Sequence, residues 1–330
     1  MSAEPANFHQ RQPMRELISG MPEFAPKHQL QGPDSARLCF GGRERSLGSS
    51  ISLQGESMTV PVCSGKNWQI LADNEPVIDH GRSKTIWLQN ADDPNDLGLF
   101  KSRDENAPST EVYSLGMERV AYALGDALGF PVAPGVHLEE FDGEPGVISC
   151  QIANSVSWRE FESRKLSHEG IVNLAAVPEY IAFDIWLANI DRSPRNILLQ
   201  SVPPVVDVAK ADRFSFHLID HGFSGLWPVA KLGSDPNEPV SFVNLGDGTT
   251  VREDLVREVM PPAYWHLFAS MNDSDRVVIL DGIRSVNDDL IDAAIDDVPD
   301  AYMTERERSL TAEFLKKRRD NVDALSHALL

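Results

Sequence analysis

The sequence is poor in cysteine, in long apolar runs and in positive charge. Its three cysteines, Cys39, Cys63 and Cys150, are widely spaced, with no CxxC pair and no Cys/His cluster at zinc-ligand spacing. That excludes a disulfide scaffold and a thiolate zinc site, and each cysteine reads as a small buried apolar residue. No window approaches the roughly 20 apolar residues of a membrane span. The opening MSAEPANFHQRQPMRE has no apolar core of signal-peptide length. A cytoplasmic, reduced protein with no membrane association is expected. Lys and Arg number 30 against 50 Asp and Glu, a formal net charge of −20. A duplex needs the opposite sign to neutralise its phosphates, so direct nucleic-acid binding is not expected. A GxxxxGK[ST] phosphate loop is also missing.

What is present is an ordinary globular composition, 42% apolar and 24% charged, over 330 residues. That length suffices for two lobes. Residues 1–30 mix Pro, Gln and charge without a period and read as a flexible arm, with one short helix at Met14 to Ser19. From residue 31 to 150 the pattern is strand-rich. Short runs such as Arg37–Phe40, Ser50–Leu53, Met58–Cys63, Trp68–Leu71, Thr85–Gln89 and Leu97–Lys101 are punctuated by Gly, Asn and Asp. One helix interrupts them. Ser109 or Thr110 caps it, Leu115, Val120, Leu124 and Leu128 give its period, and Gly129 with Pro131 ends it. Two strands around Asp142-Gly143 follow. Residues 151–330 turn helical, with Pro178 opening an apolar helix, a small β element over Asn196–Gln200 and Phe214–Ile219, and helices to the end, the last over Met303–Leu329. The expected class is α+β: a β-rich N-terminal lobe with one helix and a mainly helical C-terminal lobe.

The stretch Asn189-Ile-Asp-Arg-Ser-Pro-Arg-Asn-Ile-Leu-Leu-Gln200 sets Asp191 and Asn196 five residues apart, directly before an apolar strand. The plainer reading is an Asp and an Asn satisfying loop backbone. The chemical reading is a carboxylate and an amide oxygen facing one cleft, where Mg²⁺ takes hard oxygen ligands and shares them with phosphate. FSFHLID is a second strand that ends in an acid, Asp220, followed by His221-Gly222. Asp220 suits a second metal ligand, against the alternative of a strand-end turn. Lys101 ends the apolar run LGLFK and suits a phosphate-binding point charge, although edge-strand lysines also serve as plain solubilising residues. Glu118 lies on the following helix, beside Met117 and Val120, and would orient the Lys101 amine. A phosphate loop with backbone donors should precede Lys101. Asp79-His-Gly-Arg-Ser-Lys-Thr85 sits there, with Gly81, Arg82 and Ser83 as its candidate contacts.

Together, AFDIWLANIDRSPRNILL followed by FHLIDHG resembles the catalytic core of HipA-like kinases, Ser/Thr kinases distantly related to the phosphoinositide kinases. The matching residues are Ala182, Phe183, Asp184, Trp186, Leu187, Asn189, Asp191, Arg192, Asn196, Leu198 and Leu199, then Ile219 to Gly222. ERVAYALGDALGFPVAP and LKKRRDNVDAL are similar to further family stretches, so the resemblance spans about residues 80–328. It implies a two-lobed protein-kinase-like fold with ATP and Mg²⁺. By the same resemblance Asp191 is the catalytic base, Asn196 and Asp220 are metal ligands, Lys101 contacts phosphates and Glu118 orients it. Asp184 would brace the catalytic loop, and Arg192 would steady that loop or pair with an acid on the surface. Ser149, Cys150 and Gln151 would belong to a hinge that presents backbone groups to adenine, and Phe223 to Asn244 would form the activation segment. The expected partner is a protein substrate with a Ser or Thr acceptor. Longer toxin kinases of that family carry an additional N-terminal subdomain and work with a small DNA-binding antitoxin. Residues 1–80 do not align with that subdomain, so an antitoxin-like partner stays open. Two other functions also stay open: a nucleotide-binding pseudokinase that regulates by contact, and a kinase for a small molecule or lipid headgroup.

Overall fold

The computed structural model describes residues 37–40, 43–46, 67–71, 84–102, 109–133, 135–202, 213–226 and 253–330. The expected helix at Met14–Ser19, the strands at Ser50–Leu53 and Met58–Cys63, the loop residues Gly81, Arg82 and Ser83, and most of the expected activation segment lie outside the described residues.

A β-hairpin, β1 (Arg37–Phe40) with β2 (Arg43–Ser46), precedes the main sheet. That sheet contains β3 (Trp68–Ile70), β4 (Lys84–Asn90), β5 (Asp93–Ser102), β6 (Val136–Phe141) and β7 (Glu144–Cys150), in the order β3-β4-β5-β7-β6. Every pairing is antiparallel. The hairpin β6–β7 turns at Asp142-Gly143, both with positive φ, which is the geometry that the right-handed strand twist favours in a two-residue turn.

Register fixes the two faces of this sheet. Lys101 lies opposite Thr85 and Val147, and Leu99 opposite Trp87 and Ser149. Side chains alternate along a strand, so these residues share one face. Phe100, Ile86, Leu88, Ile148 and Cys150 share the other, where Leu88, Phe100 and Ile148 form a small apolar cluster with Trp68 and Phe141. Helix α1 (Ser109–Leu128) packs on the Lys101 face against β6 and β7 and adds Leu115, Met117, Val120 and Leu124 to the main core.

After Cys150 the chain forms β8 (Ser155–Ser157) before α2 (Trp158–Ser163). The sequence pattern suggested helix from Ala153 onward. The three-residue strand exists because β9 (Ile197–Val202) pairs with it, a long-range contact that local periodicity does not encode. β9 also pairs with β10 (Arg213–Leu218), giving a three-stranded sheet. Helix α3 (Val177–Leu187) starts with Pro178 in its first turn and is buried on all sides except at Glu179, as its mostly apolar sequence requires. Around it pack α4 (Glu253–Val259), α5 (Pro262–Ala269), α6 (Asp273–Arg284), α8 (Glu305–Asp320) and α9 (Val322–Leu329), while α7 (Asp288–Asp296) packs on α1 and α8. The single final helix expected over Met303–Leu329 is two helices. Asn321 leaves helical geometry at φ −110°, ψ 13°, and its side-chain amide donates to the carbonyl of Lys317 at 2.8 Å. That bond is one of the local alternatives to helix that asparagine offers. The α+β class is as expected, with sheet and one long helix before Cys150 and mainly helices after it.

One contact fastens the helical half to the main sheet. The Tyr302 hydroxyl accepts from the buried amide of Gly146 at 3.2 Å and lies 3.0 Å from the Gly146 carbonyl and 3.1 Å from that of Glu139. Tyr302→Phe removes the hydroxyl that bonds to both strands of the hairpin, and a lost hydrogen bond of this kind costs about 0.5–1.5 kcal/mol. Urea denaturation should show a lower midpoint with an unchanged slope.

Candidate active site

The end of α3 decides where the loop at 188–196 lies. Ala188 caps the helix in left-handed geometry, φ 55°. The last carbonyls of a helix need partners. Leu187 O accepts from Gly225 N at 2.8 Å, and the buried Arg318 on α8 donates to Ile185 O and, at 2.9 Å, to Trp186 O. A cation there also suits the negative end of the helix dipole. The chain then turns back through Asn189, whose side-chain oxygen accepts from Asp191 N at 3.0 Å.

Asp184, Asn189 and Arg192 form a buried network beneath that turn. Arg192 grips Asp184 with two bonds, Nε to Oδ2 at 2.8 Å and Nη2 to Oδ1 at 3.0 Å. Neither side chain has any exposed surface. The remaining guanidinium nitrogen donates to Asn196 O at 2.5 Å and Ile219 O at 2.7 Å. Asn189 Nδ2 adds a bond to Asp184 Oδ1 at 2.9 Å. Arg192 therefore fastens α3, the start of β9 and the end of β10 to one point. The alternative of a surface ion pair for Arg192 is excluded by its burial, and Asp184 is the group it braces.

Ile197 pairs with Leu218 in the β9–β10 hairpin, and Ile219 N donates to Asn196 O at 3.2 Å. Asn196 and Asp220 thus sit at the same end of the hairpin. Asn196 Nδ2 donates to the carbonyl of Asp191 at 2.7 Å and to its carboxylate at 3.0 Å, which turns the amide oxygen Oδ1 away from that carboxylate. Lys101 Nζ lies 3.0 Å from Glu118 Oε1 and 3.0 Å from Asp220 Oδ1. The other Glu118 oxygen accepts from the His221 amide at 2.8 Å. Gly222 follows, and a Cβ there would meet Ser114 O of α1 at 3.0 Å, so glycine lets this segment lie close to the helix.

The electrostatics follow from this crowding. Burial lifts the Glu118 carboxyl, to about 7, although Lys101 opposes it. Burial would lift Asp220 too, but Lys101, a hydrogen bond with Glu118 and the charge of Arg192 together outweigh it and hold that carboxyl well below the usual range. Burial works against the Lys101 ammonium, and Asp220 with Glu118 more than compensates, so its pKa is raised. Asp191 is pushed up to about 6 by burial and by the charge of Asp220, against its bond from Asn196. Burial keeps His221 neutral. With Arg192 committed to Asp184, three acidic side chains, Glu118, Asp191 and Asp220, face one available cation among the described residues, Lys101.

Mg²⁺ fits this donor set. Among the described residues, no group of three or more His, Cys, Asp and Glu is arranged to hold a metal. Asn196 Oδ1 and the Asp220 carboxylate supply two hard oxygens in a site with surplus negative charge. Mg²⁺ commonly takes one or two protein oxygens and completes its shell with phosphate and water.

The structure therefore brings Lys101, Glu118, Asp191, Asn196 and Asp220 to one place. Cys150 is not part of it: its side chain lies on the opposite sheet face and its Sγ is 3.5 Å from His137 Nε2. The Cys150 amide is spent on Gly135 O and that of Gln151 on Leu97 O, each at 2.8 Å. Ser149 does lie on the Lys101 face. Sequence reasoning missed the His221 amide on Glu118 and the Asn189 bond to Asp191. Asn189 and His221 both belong to the matched motifs, but their residue types alone do not say which groups they bond.

No protein-family model and no curated protein matches the chain. Among solved structures, the chain is similar to a Helicobacter pylori proinflammatory kinase, CtkA, at 14% identity over 79% of this chain and 94% of that one, with a TM-score of 0.48. It is also similar to the kinase domain of Mycobacterium tuberculosis PknI, at 14% identity over 81% of this chain and 100% of that one, with a TM-score of 0.30.

Removing one partner of a buried ion pair leaves the other charge stranded and costs about 3–5 kcal/mol. Asp184→Asn should therefore lower unfolding free energy by that order in urea titrations. Asp191→Asn, at a half-buried position outside the Arg192 grip, should stay within about 1 kcal/mol of wild type.

Proposed function

We propose that the chain is an ATP- and Mg²⁺-dependent phosphotransferase, a HipA-like kinase that phosphorylates a Ser or Thr hydroxyl of a protein. The observation that carries the proposal is Lys101 Nζ held 3.0 Å from both Glu118 and Asp220. Beside it, Arg192 fastens the Asp191–Asn196 loop to the strand that ends at Asp220. Phosphoryl transfer asks a protein mainly for position and charge. Lys101 meets the phosphates as a point charge whose direction Glu118 sets. Asn196 Oδ1 and Asp220 would hold Mg²⁺, which when bound draws charge from the transferring phosphoryl group. Asp191 accepts the proton of the attacking hydroxyl as its oxygen bonds to phosphorus and the bond to the leaving diphosphate breaks. The Asn196 amide keeps that carboxylate aimed. Leu99, Trp87 and Ser149, on the same sheet face as Lys101, offer a half-buried apolar surface for the nucleobase.

Incubation of the purified protein with radiolabelled ATP, Mg²⁺ and a cell lysate tests the reading. Phosphoserine or phosphothreonine should appear in protein. Label confined to a small molecule or lipid would move the acceptor class, and nucleotide binding without any transfer would leave a regulatory module. Asp191→Asn should lower the rate about 10²- to 10⁴-fold, the usual contribution of a general base, with the melting temperature kept.

Mg²⁺ with ATP should raise the melting temperature well above ATP in chelator. Equal stabilisation in both would remove Asn196 and Asp220 from the metal.

A further inference from the structure

Helix α1 carries Glu118, and two other parts of the chain hold it. On one side lies the segment after Asp220. The Tyr113 hydroxyl accepts from Leu226 N at 3.0 Å, and Gly222 packs on Ser114 and Glu118. On the other side lies the C-terminal segment 297–311, distant in sequence and outside the reacting groups.

Three contacts from that segment converge on α1 at Tyr113, Gly116 and Arg119, spaced i, i+3 and i+6 on the helix. Asp297 Oδ2 accepts from Arg119 Nε at 2.6 Å, next in sequence to Glu118. Asp297 caps the C-terminal end of α7, where a negative charge opposes the helix dipole, so its placement answers to Arg119 rather than to its own helix. Met303 and Val298 lie against Gly116, where a Cβ would meet them at 2.9 Å and 3.1 Å. Thr311 Oγ1 donates to Glu307 O at 2.7 Å, which leaves it to accept from the Tyr113 hydroxyl at 3.0 Å. The segment is itself stiffened. Arg308 donates to Val298 O at 3.1 Å and to Met303 O at 2.8 Å, and Thr304 with Glu307 forms a capping box. Arg119 also donates to Val136 O at 2.7 Å, so the same side chain ties α1 to β6.

Resting on the reading of Lys101 and Glu118 as the phosphate-binding pair, we propose that segment 297–311 is a built-in clamp on α1. Asp297, Met303 and Thr311 are positioning residues that hold Glu118 on Lys101. The Lys101–Glu118 pair is then assembled by the chain's own C-terminal helices and needs no docked activator to push α1 inward. The clamp also reaches the metal side of the site. Tyr113 takes its hydrogen-bond acceptor from α8 and its donor from Leu226, so one hydroxyl couples 297–311 to the segment that follows Asp220.

The test compares the double variant Asp297→Ala/Thr311→Val with wild type and with Arg276→Met. Arg276 anchors α6 through Met271 O at 2.8 Å, away from α1, and controls for lost stability. Hydrogen exchange should lose protection over residues 112–124 in the double variant and keep it in Arg276→Met. Turnover should fall roughly 10- to 100-fold, as when a distant change displaces a catalytic group by up to about an ångström, with KM for the acceptor unchanged. Asp297→Glu/Thr311→Ser, which keeps charge and hydroxyl, should restore most of both. Unaltered protection of α1, or a turnover loss no larger than that of Arg276→Met, overturns the clamp. If wild type transfers no phosphate, the kinase reading fails by itself, and the exchange measurement still decides whether 297–311 holds α1.

Discussion

The guanidinium of Arg192 has no exposed surface, yet it is the point at which the site is tied together. Desolvating a charged pair is expensive, and such a pair is favourable only when its geometry is good and its other donors and acceptors are met. Both conditions hold. Asp184 takes two bonds from Arg192 and one from Asn189. The remaining arginine donors go to the carbonyls of Asn196 and Ile219. A lysine could not do this, because the planar fork of five donors is what spans a carboxylate on one side and two backbone segments on the other. Asp191 lies one residue before this anchor, Asn196 is its acceptor, and Asp220 lies one residue beyond its other acceptor. The side chains that face the cleft inherit their positions from a group that never reaches it.

Above this anchor the charges are deliberately out of balance. Glu118 and Asp220 share one ammonium, and Asp191 adds a third carboxylate whose proton affinity Asp220 raises. A fold selected only for stability would not gather acids in this way, because like charges at short range raise one another's pKa. A divalent cation held as proposed would relieve the surplus, while Lys101, already held by two acids, is kept charged.

Much of this was legible from residue types and spacing. A lysine ending an apolar run, an acid on the next helix, and two polar motifs flanking short strands were enough to single out Lys101, Glu118, Asp191, Asn196 and Asp220, because strand alternation and hairpin register are local rules. Cys150 shows the limit of that reasoning. Naming a strand end as a backbone hinge does not say which of its amides stay free, and those of Cys150 and Gln151 are bonded to the carbonyls of Gly135 and Leu97. Arg318, Asp297 and Thr311 were invisible as contributors. They act on α3 and α1 across more than a hundred residues, and nothing in their local pattern distinguishes them from solvated helix positions. The strand Ser155–Ser157 and the break at Asn321 escaped for related reasons: the first exists through a partner strand, and the second through one side-chain bond.

Asp220 joins the local and the long-range accounts. Its backbone sits at φ 58°, a left-handed conformation that costs a residue with a side chain on the order of 1 kcal/mol and persists only where its surroundings impose it. Those surroundings are identifiable. Arg192 fixes the preceding carbonyl, Glu118 takes the following amide, Lys101 takes the carboxylate, and Gly222 lets the next turn press onto α1. Glycine at position 220 would remove the backbone cost and remove the carboxylate with it. The chain instead keeps an acid in a conformation suited to glycine, at the position where three other residues converge. Breaks in local rules tend to fall at functional sites, and this one falls on the carboxylate beside Lys101 that is proposed to hold the metal.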